Sequence, residues 1–160
     1  MATVISAERT ARRKESKRSF NYVALFRAAP AERIRLIKAG VPASDVKRFV
    51  VELYLDQNVM FGALNLKTAT VNRKAARNEA LSAEDSERVV GLAKLVGQLE
   101  AMVEESGNPE GFDAPSWLSG WLREPLPALG GDRPIELLDT MEGQAVISRI
   151  LAQVQSGAYA

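Results

Sequence analysis

Between Ser82 and Glu105 the chain carries one long helical pattern, and this segment constrains the fold more than any other. Ser82-Ala83-Glu84-Asp85 reads as a capping box, in which a hydroxyl and an acidic side chain satisfy the free amides of a first turn. At the rise of an α-helix, the segment it opens spans about 35 Å. Leu92, Leu95, Leu99 and Met102 follow the spacing of a heptad seam, and Val89, Ala93, Val96 and Val103 form a second apolar line beside it. Two lines need two partners. Either one faces the chain's own core and the other a second chain, with Leu92, Leu95, Leu99 and Met102 as the seam of a homodimer, or both belong to one broad core stripe.

The rest of the chain supports an all-α fold, because no strand-like alternation of useful length occurs. Pro30 suits the first turn of a helix that Glu32 favours electrostatically and Gly40 closes. A second helix begins at Ser44 or Asp45, with Val46, Phe49, Val50 and Leu53 on one face. Short helices follow over about 56–64 and 68–77. After the breakers Gly107-Asn108-Pro109-Glu110-Gly111, a helix carrying two tryptophans is expected over 114–122, a short one from Pro134, and a terminal one over about 142–155. This divides the chain into a basic arm at 1–21, a helical domain at 22–106 and a C-terminal segment at 107–160. The last is too small for a core of its own and must pack on the long helix or on another chain.

Charge separates the same regions. Residues 1–80 hold 16 Lys and Arg against 7 Asp and Glu, a balance of +9, whereas residues 81–160 hold 5 against 13, a balance of −8. A basic half suits nucleic-acid phosphates. Arg9, Arg12, Arg13, Lys14, Lys17 and Arg18 make the start of this half a cationic arm, which either follows a DNA backbone or is a solvated tail. The chain has no His and no Cys, which removes Ser-His-Asp and Cys-His catalysis and the thiolate and imidazole metal sites. The carboxylates Asp132, Glu136, Asp139 and Glu142 are spaced for helix termini rather than for acid–base work. No catalytic residue, metal site or cofactor is expected. No signal-peptide pattern or membrane-length apolar run is present, so the expected location is the cytoplasm.

Residues 58–77 have the layout of a helix-turn-helix. Met60, Leu64, Leu66 and Val71 supply the helix crossing, and Asn65 stands where the turn needs a residue tolerant of positive φ. On the second helix, Thr68, Thr70, Asn72 and Arg73 are candidates for base edges, and Lys67, Lys74 and Arg77 for phosphates. Phe61, where a small residue is usual, and Asn65 in place of Gly are the departures from that pattern. An ordinary helical hairpin with a basic face is the alternative.

In the acidic half, Trp117 and Trp121, one helical turn apart, read by themselves as core. The spacing of Gly130-Gly131 fits no phosphate-binding motif and indicates a tight turn. The order of elements is distinctive: Trp117-Leu118, a Pro-containing spacer, Leu129-Gly130-Gly131, Pro134, Glu136-Leu137-Leu138, Thr140, Gly143, then a helix with Val146 ending near Gly157. This order resembles the C-terminal toxin-binding module of Xre/MbcA/ParS-type antitoxins, and the upstream helix-turn-helix resembles their Xre-like half.

The resemblance implies an antitoxin of the RES-Xre class. Its partner is a toxin with an ADP-ribosyltransferase-like RES fold that depletes NAD, blocked at the NAD pocket by the C-terminal half. Its helix-turn-helix represses its own operon at operator DNA, and a higher toxin–antitoxin complex is expected. The terminal residues Arg149, Gln153, Gln155, Ser156, Gly157, Tyr159 and Ala160 are the candidate toxin contacts, with the tail as either a plug for the cleft or a frayed terminus. A DNA-binding regulator without a toxin, and a pure inhibitor with a degenerate helix-turn-helix, are the competing readings.

Overall fold

A computed structural model describes residues 18–155 and 157. Arg9, Arg12, Arg13, Lys14 and Lys17 of the basic arm, and Ser156, Tyr159 and Ala160 of the tail, lie outside them.

Eight α-helices are present among the described residues: α1 (Tyr22–Arg27), α2 (Pro30–Ala39), α3 (Ala43–Glu52), α4 (Gln57–Ala63), α5 (Thr68–Ala76), α6 (Ala83–Glu105), α7 (Ala114–Leu122) and α8 (Met141–Gln155). Two 3₁₀ turns, Pro127–Leu129 and Pro134–Leu137, connect the last two helices. The described residues contain no strand; Pro42 and Ala80 form one isolated bridge, where the Leu81 amide donates to the Val41 carbonyl at 2.8 Å.

Local chemistry explains the boundaries. Asn21 caps α1 by accepting from the Ala24 amide at 3.1 Å. The chain then turns extended at Ala29 because Pro30 follows, and Pro30 starts α2. Gly40, at φ 86°, ends α2 in a conformation that L side chains avoid. Asp56 caps α4, Asp113 caps α7, and the Thr140 hydroxyl accepts from the Gly143 amide at 2.9 Å to open α8. Ser82 caps α6 as expected, accepting from Asp85 at 3.1 Å. The reciprocal half of the box is absent, because the Asp85 carboxylate is bound to Arg88 at 2.6 Å instead.

α6 runs through the middle of the fold. Val89, Leu92, Ala93, Leu95, Val96 and Leu99 are all buried, so both apolar lines are covered by the chain's own helices: α1 and α2 from the basic half, α7 and α8 from the acidic half. A helix whose apolar lines are both covered by its own chain is a core helix, even with charged residues on its remaining face. The homodimer seam through Leu92, Leu95, Leu99 and Met102 is therefore corrected: the first three are buried within one chain and Met102 packs against the same core. The broad core stripe is the arrangement found.

Glycine and glutamine make the close approaches. Gly97 sits against the Tyr22 carbonyl and lets α1 cross α6. Gln144 of α8 lies over Gly91, and its Nε2 donates to the carbonyls of Arg88 at 3.1 Å and Leu138 at 2.9 Å. One turn further on, Gln98 and Ser148 exchange two hydrogen bonds, at 3.0 and 2.7 Å. Buried amides need such partners, and these pairs fix α8 in register on α6. At the far side, Glu52 accepts from the Ser19 amide and hydroxyl and from the Tyr22 hydroxyl; burial raises its pKa, partly offset by the two Ser19 bonds and by Arg18.

Candidate functional sites

The first site is built on α4 and α5. Met60, Phe61, Leu64, Leu66 and Val71 are buried where the two helices meet. Asn65 adopts φ 54° and the Leu66 amide donates to the Phe61 carbonyl at 2.7 Å, which makes the tight turn. Neither sequence departure disturbs this geometry: Asn tolerates the left-handed region, and Phe61 fills core volume.

The candidate DNA contacts divide. Lys67, Arg73 and Arg77 are exposed; Thr70 and Lys74 are half-buried on the flanks. Val71 fixes the inward face, which leaves Ala69, Arg73, Ala76 and Arg77 outermost. Thr68 is half-buried and its hydroxyl donates to Asn58 Oδ1 at 3.1 Å, bracing α5 on α4. Asn72 departs from expectation, because its Oδ1 is buried without a hydrogen-bond partner instead of facing outward. It lies next to the inward Val71, which its residue type could not reveal.

Arg88 of α6 carries a role that residue spacing did not assign. Its side chain is only 11% exposed, and its guanidinium donates to the Leu64 carbonyl at 2.6 Å and the Asn65 carbonyl at 3.3 Å while pairing with Asp85. It thereby clamps the turn between α4 and α5 with a planar fork. The sole sequence signal was the Asp85–Arg88 spacing on a helix.

The second site lies on the C-terminal half. Trp117 and Trp121 stack with centroids 6.0 Å apart, but they are not core as their spacing suggested: Trp117 is 38% exposed and Trp121 half-buried. With Leu126, Pro127, Ile150 and Val154 they line an apolar groove of about 370 Å³. Gly130 and Gly131, at φ 67° and 94°, form the tight turn that brings Leu126 and Pro127 to it, through bonds from the Gly131 amide to the Leu126 carbonyl and from the Leu126 amide to the Asp132 carbonyl.

The candidate toxin contacts are placed around the end of α8. Arg149 and Gln153 are exposed one turn apart on α8. Gln155 is exposed and donates to Glu105 at 3.4 Å, and Gly157 is exposed at φ 71°. Arg149 does not line the indole groove; Ile150 and Val154 do. Among the described residues no group of three or more His, Cys, Asp or Glu could hold a metal, and no helix is long and apolar enough to cross a membrane.

Comparison with known proteins places both halves. A family model described as the antitoxin Xre-like helix-turn-helix domain matches residues 32–94. A second, described as the antitoxin Xre/MbcA/ParS C-terminal toxin-binding domain, matches residues 98–157. The chain is 73% identical over 141 residues, 88% of its length and 89% of the relative's, to a protein of Sphingobium sp. (strain YBL2) named Prs ADP-ribosylating antitoxin.

Proposed function

We propose, because the chain belongs to the Xre/MbcA/ParS-type antitoxin family, that it neutralises a RES-fold toxin with one half and represses its own operon with the other. Residues 22–106 read operator DNA, and residues 107–160 hold the toxin. The toxin in this reading resembles an ADP-ribosyltransferase and consumes NAD. The relative's name, which couples ADP-ribosylation to Prs, favours transfer of ADP-ribose to a target over simple destruction of NAD.

The observation that carries the toxin-binding half is the groove of Trp117, Trp121 and Val154, an apolar surface left open by the chain's own fold immediately before the terminal segment. Partly exposed stacked indoles next to aliphatic side chains are what a protein partner buries. The toxin seats on this groove, and the tail from Gly157 to Ala160 continues into the toxin's cleft and covers it. Inhibition then requires no chemistry from this chain. Co-expression with the toxin tests it: deletion of 157–160 is expected to leave a complex that still co-purifies but no longer protects NAD or growth. Full protection by the truncated chain defeats the role given to the tail.

For the operator, the outward face of α5 supports reading by Arg73, with Thr70 beside it and Lys67, Lys74 and Arg77 on phosphates. Two copies read two half-sites, through a contact other than the buried leucines of α6. Arg73→Ala is expected to cost about 1–3 kcal/mol of operator affinity at physiological salt. An unchanged footprint would defeat this register.

A further inference from the structure

A second concave site, roomier than the indole groove, lies elsewhere in the described part of the fold. It lies between α2, α6 and α8, encloses about 460 Å³, and brings together Arg33, Lys94 and Arg149, one cation from each helix. Pockets for small ligands commonly have this size. Its walls include Ile37, Leu95 and Met141, and the one carboxylate lining it is Glu87.

The cations are held there without an anion. Neither Lys94 nor Arg149 has an ion-pair partner among the described residues. Arg33 is fixed at the rim because its Nη1 donates to the carbonyls of Leu25 and Phe26, each at 3.2 Å, at the end of α1. Lys94 is partly desolvated, and burial, followed by the neighbouring Arg33, lowers its pKa. A fold that gathers unpaired cations in a concave site is stabilised by an anion that enters it.

We propose that this groove binds a nucleoside diphosphate. Arg33, Lys94 and Arg149 take the phosphates, Glu87 accepts from ribose hydroxyls, and Ile37 and Met141 contact the base. Concavity, apolar walls and a lone carboxylate suit a nucleotide better than an acidic protein segment, which needs no apolar pocket. Because α2 and α8 fall in the two different matched regions, the ligand bridges the DNA-reading and toxin-binding halves.

Calorimetric titration of the full chain with ADP, pyrophosphate and adenosine at low ionic strength tests this. ADP is expected to bind, pyrophosphate more weakly, and adenosine undetectably. Lys94→Met is expected to weaken ADP binding by about tenfold or more. Since the Lys94 charge is disfavoured where it sits, the variant should keep or raise Tm, so lost binding is separable from misfolding. No heat with millimolar ADP, or equal binding by wild type and Lys94→Met, overturns the proposal. So does loss of toxin capture by Lys94→Met with no ADP binding in wild type, which would make the groove a protein contact.

Discussion

Gly97→Ala is expected to be among the most damaging single changes in this chain. A Cβ at that position would lie 1.9 Å from the Tyr22 carbonyl oxygen and 2.5 Å from its carbon. Both are backbone atoms, which cannot rotate away, so α1 must move off α6 and uncover the packing around Tyr22 and Phe49. Overpacking of this severity costs about 3 kcal/mol, or roughly 6–12 °C in Tm for a chain of this size. Gly120→Ala is the control: nothing lies within 4 Å of the added methyl, and alanine favours the helix by up to about 1 kcal/mol. Thermal unfolding followed by circular dichroism should separate the two in opposite directions. Equal Tm for wild type and Gly97→Ala would show that α1 does not cross α6 at that point.

The second large effect is expected at Arg88. Arg88→Met keeps most of the stem's volume but strips the carbonyls of Leu64 and Asn65 of a charged donor and leaves Asp85 unpaired. A hydrogen bond to a charged group is worth about 1.5–3 kcal/mol, and loss of the fork should cost about 3 kcal/mol in total because its bonds are not independent. The pair with Glu84 adds little, since it spans 3.9 Å and Glu84 is 86% exposed. Arg88→Lys should recover only part of the loss, because one ammonium cannot reproduce the planar fork. Hydrogen exchange should quicken first at the amides of the α4–α5 turn, and operator affinity should fall with it. Unchanged exchange there in Arg88→Met would remove Arg88 from the DNA-reading architecture.

Residues whose local chemistry decides their conformation were legible in the sequence. Pro30, Gly40, Asn65, Ser82 and the Gly130-Gly131 turn each stand where their caps and dihedrals predict. The helical order of the C-terminal half was legible too, through its family pattern. What failed depended on which neighbour covers a face. Leu92, Leu95 and Leu99 have the spacing of a dimer seam, but α6 is wrapped from two sides by its own chain. Trp117 and Trp121 have the look of core residues and instead border an open groove. The Asn72 amide oxygen turns inward where an outward contact was expected, and the Arg88 guanidinium, given no role from spacing, reaches back over 24 residues to the turn. Periodicity gives the direction of a side chain relative to its helix, but not the identity of what that side chain meets.

The Gln144 side chain, which donates to the carbonyl of Arg88, has a thermodynamic consequence. Arg88 of α6 holds the DNA-reading turn and Gln144 of α8 belongs to the half that meets the toxin, so both halves are bonded to α6, share one core and are expected to unfold together. A ligand bound to either half adds its binding free energy to the stability of both, by mass action and with no change in shape. At a toxin concentration about 100 times its Kd, this would be about 2.7 kcal/mol. Under the proposed function, the stability of the operator-reading half is thereby expected to rise and fall with the supply of toxin.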